Sequence, residues 1–172
     1  MPVVPLPPFV QAAPLSAVDV HSVHAVLLTE DGRLLLQRRD DKPGIVLRDH
    51  WAFFAGAMEA DEPPEQALGR ELAEELGLKG DLAPVWLTES VSVLPRESNR
   101  VARRVWFVVP LSDARLAALD QREGAGRGLF TIDEMAALPK VAPWDVAAAM
   151  LLMRREVLFG DAGCLPLPNS VL

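Results

Sequence analysis

Three glutamates stand close together in a stretch with helical character: Glu71, Glu74 and Glu75. At about 100° per residue, their carboxylates share one arc of a helix. Crowded side chains of like charge repel one another and raise one another's pKa. A divalent cation relieves that repulsion, and carboxylate oxygens suit Mg²⁺ or Mn²⁺. The cluster therefore predicts a metal site, and a solvated acidic helix face is the alternative.

The residues around this cluster predict a loop that leads into a helix. Pro63 and Pro64 fit only a first helical turn, where their missing amide protons are not needed. Asp61 or Glu62 is the expected N-cap, and Gly77 is the expected end of the helix. Three leucines occupy the arc beside the carboxylates and predict its burial: Leu68, Leu72 and Leu76.

The spacing of the whole stretch resembles the Nudix box. That pattern is Gly, five residues, Glu, seven residues, Arg-Glu, an apolar residue, any residue, Glu-Glu, any residue, Gly and an apolar residue. The residues that match it without exception are Gly56, Glu62, Arg70, Glu71, Leu72, Glu74, Glu75, Gly77 and Leu78. Seven fixed residues at roughly 0.07 each and two apolar ones give a chance of about 10⁻⁹ per start position.

The resemblance implies an α/β fold, specifically the Nudix-type α/β/α sandwich with a small mixed β-sheet between helices. The order of predicted strands and helices along the chain leaves room for such a sheet. The Nudix domain is expected over residues 19–160. An apolar, proline-rich segment over residues 1–18 precedes it, and a tail over residues 161–172 follows it.

The activity that the resemblance implies is hydrolysis of a nucleoside diphosphate linked to another group X. The products are a nucleoside monophosphate and phosphorylated X. Glu71, Glu74 and Glu75 would hold Mg²⁺, with Mn²⁺ as a substitute. Glu71 or Glu123 would be the base, and Arg39 would bind substrate phosphate. Glu123 matches its role only by order along the chain, and the alternatives are a solvated loop acid for Glu123 and a solvated strand end for Arg39.

The remaining box residues have structural roles by the same resemblance. Arg70 would pair with a box acid such as Glu62 and hold the loop on the helix. Gly56 would allow the loop to pack closely, and Gly77 would end the helix.

Composition limits the partners and the compartment. The chain has 172 residues, about one domain, and a net charge of −7, which argues against a dedicated nucleic-acid binder. A small-molecule nucleotide is therefore the expected partner. Cys164 is the only cysteine, so no internal disulfide can form, and a reducing cytoplasm fits. The uncharged, proline-interrupted start predicts neither a signal peptide nor a membrane-spanning helix. The apolar end segments favour a homodimer.

Two other functions compete with hydrolysis. One is a nucleotide-sensing Nudix domain without catalysis. The other is an isopentenyl-diphosphate-type isomerase, which needs a cysteine inside the fold, whereas Cys164 follows the last predicted helix.

The preferred substrates are ADP-ribose or a nucleotide sugar, followed by an oxidised deoxynucleoside triphosphate. The chain contains no tyrosine, which dinucleoside polyphosphate hydrolases carry downstream of the box. Pro95 lies close to the position of a proline in ADP-ribose hydrolases. The histidines, His21, His24 and His50, show no metal-ligand spacing and receive no role.

Overall fold

The structure, a computed structural model, describes residues 18–93 and 100–155. Several predictions concern residues outside these ranges and stay predictions: the segment before residue 18, Pro95, Cys164 and the tail.

Within the described residues, seven strands form one mixed sheet. They are β1 (Val20–Thr29), β2 (Leu34–Arg38), β3 (Trp51–Ala52), β4 (Phe54–Ala57), β5 (Val85–Val93), β6 (Val101–Leu111) and β7 (Gly126–Phe130). The order across the sheet is β3-β2-β1-β6-β5, and β4 also pairs with β1 and β7 with β2. β1 and β6 are parallel, whereas the other pairs are antiparallel. The predicted mixed sheet is confirmed.

Helices cover both faces of this sheet. They are α1 (Pro64–Leu76), α2 (Asp113–Ala117), α3 (Ile132–Ala137) and α4 (Pro143–Met153). The three α1 leucines that were predicted to be buried are at most 1% exposed. Gly77 ends α1 in the left-handed conformation, with φ of 65°, as predicted. Among the described residues, no helix has the length and apolar character needed to cross a membrane.

The central strand β1 is buried on both faces, which makes the fold a sandwich. Its residues Val23 and Ala25 pack in one apolar core with the leucines of α1. The alternate residues Val26 and Leu28 pack in a second core with α3 and α4. Successive strand residues point to opposite faces, so the two cores lie on opposite sides of the sheet. The predicted α/β/α sandwich is confirmed.

The start of α1 differs from the prediction. Pro63 is the N-cap, and no side chain of the described residues caps the helix, so the expectation of Asp61 or Glu62 was wrong. The Glu62 carboxylate instead accepts hydrogen bonds from the backbone amide of Glu59 at 3.0 Å and from Arg70 Nη2 at 2.9 Å. A guanidinium is a stronger partner for a carboxylate than a helix amide, because both groups carry charge.

The segment that precedes the box loop, residues 51–57, forms two short strands with different partners. β3 pairs with β2 and β4 pairs with β1. Between them, the backbone amide of Phe53 donates to Asp145 Oδ2 at 3.0 Å. The chain thus changes its pairing strand at Phe53, where Asp145 of α4 accepts the hydrogen bond of the backbone amide.

Candidate active site

Two glutamates on α1 and one from a distant loop come together at the end of the sheet. Glu75 and Glu123 line one cleft, together with Arg39, Gln37 and other residues of β2 and the following loop. Glu75 is 6% exposed, and the charges of Glu71 and Glu123 both raise its pKa. We refer to this recess as the cleft.

The loop that carries Glu123 is fastened to the C-terminal end of α1. The backbone amide of Arg122 donates to the carbonyl of Glu75 at 2.8 Å, and that of Asp120 donates to the carbonyl of Leu76 at 2.9 Å. The last carbonyls of a helix have no partner within it, so the loop satisfies them. These bonds bring Glu123 beside Glu75.

The other side of the same loop lies on the end of β2. Gly124 has φ of 83°, and a Cβ there would lie 3.0 Å from the carbonyl oxygen of Arg38 and 3.0 Å from Gln37 Oε1. The backbone amide of Ala125 donates to that same carbonyl at 2.8 Å. A glycine suits this position because of both its φ and the short distance.

Glu75 has the environment of a cation ligand. Its Oε2 is buried and has no hydrogen-bond partner among the residues that the structure describes. Burial, followed by the charges of Glu71 and Glu123, raises the pKa of Glu75 to about 8, while Arg39 and Gln37 oppose that rise. A buried carboxylate oxygen without a partner costs roughly 1–3 kcal/mol, a cost that a bound cation would remove.

Glu71 occupies space that only a glycine leaves open. A Cβ at Gly56 would lie 1.8 Å from the carboxylate carbon of Glu71. Burial raises the pKa of Glu71, and the hydrogen bond from Arg70 opposes that rise. The carboxylate is therefore held against the backbone of β4, at the start of the box.

Arg70 joins the box loop to the helix. Its Nε and Nη2 donate to the two oxygens of Glu62 at 3.1 and 2.9 Å, and Nη2 also donates to the carbonyl of Ala57 at 2.8 Å. Its Nη1 donates to Glu71 Oε1 at 2.8 Å. The bond from Arg70 holds the pKa of Glu62 below its ordinary value.

Glu74 stands apart from the other acids. Its side chain is 58% exposed and lies 3.5 Å from Arg70 Nη1. In residues 18–93 and 100–155, no three His, Cys, Asp or Glu side chains form a ready-made metal site. Arg70 contacts both Glu71 and Glu74, so two of the three predicted ligands are paired with a cationic side chain. The assignment of Glu74 to a metal stays a prediction.

The two arginines at the end of β2 have different surroundings. Arg39 lines the cleft, where its Nε donates to the carbonyl of Val46 at 2.9 Å. Arg38 is half exposed and its guanidinium pairs with Asp49 at 2.5 Å. Adjacent strand residues point to opposite sides, so only one of the two can face the cleft.

Residues 20–152 match the family model of the NUDIX domain. The chain belongs to the Nudix family. Among its relatives is the RNA pyrophosphohydrolase of Xylella fastidiosa strain M12, 34% identical over 114 residues, which are 59% of this chain and 57% of that protein. The enzyme of the same name from Gluconacetobacter diazotrophicus is 39% identical over 74 residues, 39% of this chain and 44% of that protein. The chain thus matches 57% of the length of the first relative and 44% of the second.

Solved Nudix structures share the fold. The solution structure of the Escherichia coli ORF135 protein has a TM-score of 0.67 and 25% identity, over 87% of this chain and 100% of that one. The NUDIX domain of Shewanella oneidensis NrtR, in complex with ADP-ribose, has a TM-score of 0.63 and 18% identity, over 84% of this chain and 94% of that one.

Gln37 lines the cleft and was not predicted from the sequence. It is 4% exposed, and its Nε2 donates to the carbonyl of Phe53 at 3.3 Å. Its side chain lowers the pKa of Glu75 by hydrogen bonding, and a Cβ at Gly124 would lie 3.0 Å from its Oε1. The only local indication was an amide that follows the apolar run 34–36 in a strand.

The raised pKa of Glu75 predicts a pH-dependent stability in metal-free protein. The folded state holds a proton up to about pH 8, whereas an ordinary glutamate releases it near 4.5. Stability from this group is therefore full below pH 4.5 and is lost as the pH rises through 8. Relative to Glu75→Gln, the wild type should lose on the order of 3 kcal/mol of unfolding free energy between about pH 5 and pH 8. Urea titrations with EDTA measure this difference, and parallel curves for the two proteins would refute it.

Proposed function

We propose that this protein hydrolyses a phosphoanhydride bond in a nucleoside diphosphate linked to another group X. The observation that carries the proposal is the buried Oε2 of Glu75, which has no hydrogen-bond partner within residues 18–93 and 100–155 and lies beside the charges of Glu71 and Glu123. Three acids beside one arginine form a site for a cation and an anion together, which is what a metal-bound diphosphate requires. Membership in the Nudix family supports the same chemistry.

The residues present fit a divalent metal ion. Nudix hydrolases generally use such ions. We propose Mg²⁺, with Mn²⁺ as a substitute, held by Glu71, Glu75 and Glu74, since hard oxygen ligands suit both ions. Glu74 is exposed, so its side chain can change rotamer at little cost. When bound, the ion would neutralise phosphate charge and make a water more acidic.

The protein's own groups have the following proposed roles. Glu71 or Glu123 accepts the proton of the attacking water, because both carboxylates lie beside Glu75. The water oxygen forms a new bond to phosphorus, and the bridging oxygen leaves with the other product. Arg39 binds phosphate oxygens from the β2 side of the cleft. Arg70 and Glu62 hold the loop on the helix and take no part in proton transfer.

Two substrate classes are proposed. The first is a small nucleotide in which X is a sugar or ribose phosphate, followed by an oxidised deoxynucleoside triphosphate; a net charge of −7 favours a small ligand over a polyanion. The second is the phosphorylated 5′ end of an RNA, because relatives 34% identical over 114 residues are named RNA pyrophosphohydrolase. An RNA 5′ end presents the same phosphoanhydride bond to the cleft.

A substrate screen with Mg²⁺ tests the proposal. We expect phosphoanhydride cleavage of one class among nucleotide sugars, ADP-ribose, dinucleoside polyphosphates, oxidised nucleotides and a 5′-triphosphorylated RNA oligonucleotide. Released phosphate after phosphatase treatment gives the rate, and mass spectrometry gives the bond that breaks. Tight, saturable binding with no turnover of any class would instead favour the nucleotide-sensing domain. Isomerisation of a prenyl diphosphate would favour the isomerase alternative, whose cysteine, Cys164, lies outside the described residues.

Arg39→Ala should weaken substrate binding, with Arg38→Ala as the matched control. A charge-assisted hydrogen bond to phosphate contributes roughly 1.5–3 kcal/mol, so KM should rise about tenfold or more in Arg39→Ala. Arg38 pairs with Asp49 away from the cleft, and its loss should change KM less than about twofold. Steady-state kinetics on the best substrate measure both values. Equal effects of the two substitutions would show that Arg39 does not hold the phosphate.

A further inference from the structure

A serine, a histidine and an aspartate form a hydrogen-bonded chain outside the box. Ser22 Oγ lies 3.2 Å from His24 Nε2 on β1, and His24 Nδ1 lies 3.1 Å from Oδ1 of Asp145 on α4. Residues two apart on a strand share a face, which is why Ser22 and His24 meet. Sequence spacing assigned no role to His24, because Asp145 is 121 residues away.

Asp145 fixes the tautomer of His24. It is fully buried, and its Oδ1 also accepts a hydrogen bond from Trp106 Nε1 at 3.0 Å, while Oδ2 accepts one from the amide of Phe53. A carboxylate that accepts from two N–H groups is an acceptor for the third partner too, so His24 Nδ1 carries the proton. His24 Nε2 is then a proton acceptor 3.2 Å from Ser22 Oγ, closer than the carbonyl of Arg103, to which Ser22 Oγ can also donate at 3.5 Å. A serine nucleophile is activated in this way, by a histidine that accepts its proton and a carboxylate that orients the histidine.

A buried cation lies beside the serine. Ser22 and Arg104 are paired neighbours on β1 and β6, so their side chains share a sheet face. Arg104 is 4% exposed, and its Nη1 donates to Ser92 Oγ at 2.7 Å. Its guanidinium lies 4.2 Å from the ring centroid of Trp144. In the described part of the chain, Arg104 forms no salt bridge with a carboxylate, although the charge of the buried Asp145 acts on it from a longer distance.

This group of residues is separate from the cleft. His24 and Trp106 alternate along their strands with Val23 and Val105, which pack in the core on the α1 side. The serine therefore lies on the α4 face, across the sheet from the box helix. Ser22 is partly exposed, whereas His24 is buried.

We propose that Ser22, His24 and Asp145 form a second site, at which Ser22 takes up the acyl group of a small carboxylic ester. Ser22 Oγ forms a bond to the carbonyl carbon as its proton passes to His24 Nε2. The ester C–O bond then breaks and the alcohol leaves with that proton. Water removes the acyl group by the reverse route, and no oxidant or metal is consumed. Arg104 stabilises the oxyanion, and Asp145 is a positioning residue for His24.

The test is acylation of the full-length protein by p-nitrophenyl acetate, in EDTA. We expect an acetyl group on the peptide that contains Ser22, found by mass spectrometry, and p-nitrophenolate release about a hundredfold slower in Ser22→Ala. A fluorophosphonate probe, which reports activated serines, should label the same residue. His24→Gln should abolish the fluorophosphonate label while Ser22 remains present.

Ser90→Ala is the matched control, because Ser90 also pairs with Arg104 across the sheet, whereas the serine that lies 3.2 Å from His24 Nε2 is Ser22. It should keep both labels. Ser22→Ala should retain the wild-type melting temperature and any Mg²⁺-dependent phosphoanhydride hydrolysis, which separates this site from the cleft. Labels found only on lysines or at other serines, no label with either probe, or equal rates in Ser22→Ala and Ser90→Ala would overturn the proposal.

Discussion

Glu75→Gln should lower Mg²⁺-dependent phosphoanhydride hydrolysis by about a hundredfold or more. Glutamine keeps the shape of the side chain but replaces a charged ligand oxygen with an amide, in a position that is 6% exposed. Loss of one ligand or its support usually costs 10–100-fold in metal affinity or activity, and burial strengthens the electrostatic contribution. The measurement is kcat/KM across a Mg²⁺ titration, so that weaker metal binding is separated from slower chemistry.

Glu65→Gln is the control for this experiment. Glu65 is an exposed acid in the first turn of the same helix, so its substitution changes the net charge equally without entering the cleft. Its activity should stay within about twofold of wild type. A rate for Glu75→Gln within about threefold of wild type would contradict the metal-assisted mechanism.

Glu75→Gln should also make the protein more stable at high pH. The cleft brings Glu71, Glu75 and Glu123 together and, among the described residues, gives Glu75 Oε2 no hydrogen-bond partner, which costs folding free energy in the absence of metal. Neutral glutamine at position 75 removes that cost. A gain in stability with a loss of activity distinguishes a ligand site from a structural ion pair, whose disruption lowers both.

The box could be predicted from sequence because its contacts are local. Arg70 and Glu71 are neighbours in sequence, and Glu62 lies eight residues before Arg70, so one loop and one helix contain all three. The spacing of the buried leucines likewise follows from the helical repeat. Such features depend only on the geometry of neighbouring residues, so they can be predicted without knowledge of the rest of the fold.

The difference between Glu74 and Glu75 could not be predicted in this way. Helical periodicity puts both on the acidic arc, but the side of that arc that is enclosed depends on where the loop of Glu123 lies. Backbone hydrogen bonds fix that loop to the end of α1. One of them joins Arg122 to Glu75, which are 47 residues apart in sequence. Gln37 and Asp145 were missed for the same reason, since their partners are distant along the chain.

Gly56→Ala should reduce activity on the order of tenfold to a hundredfold while the fold remains. The new Cβ would lie 1.8 Å from the carboxylate carbon of Glu71, so that side chain must move. Its displacement breaks the bond to Arg70 or moves a proposed ligand and base out of position, and small misplacements of catalytic groups are costly. Because the clashing atoms are the far end of a flexible side chain, the loss of stability should be only about 1–3 kcal/mol.

Gly69→Ala is the matched glycine substitution within the same box. A Cβ at Gly69 would meet nothing within 4 Å, and the residue lies inside α1. Alanine should therefore stabilise the helix by about 0.5–1 kcal/mol and leave kcat/KM unchanged. Thermal melts and steady-state kinetics of the two variants, at saturating Mg²⁺, measure both effects. If Gly56→Ala were as active as Gly69→Ala, the position of the Glu71 carboxylate against β4 would not matter for catalysis. The base would then have to be sought at Glu123, whose carboxylate reaches the cleft from a loop that neither glycine touches.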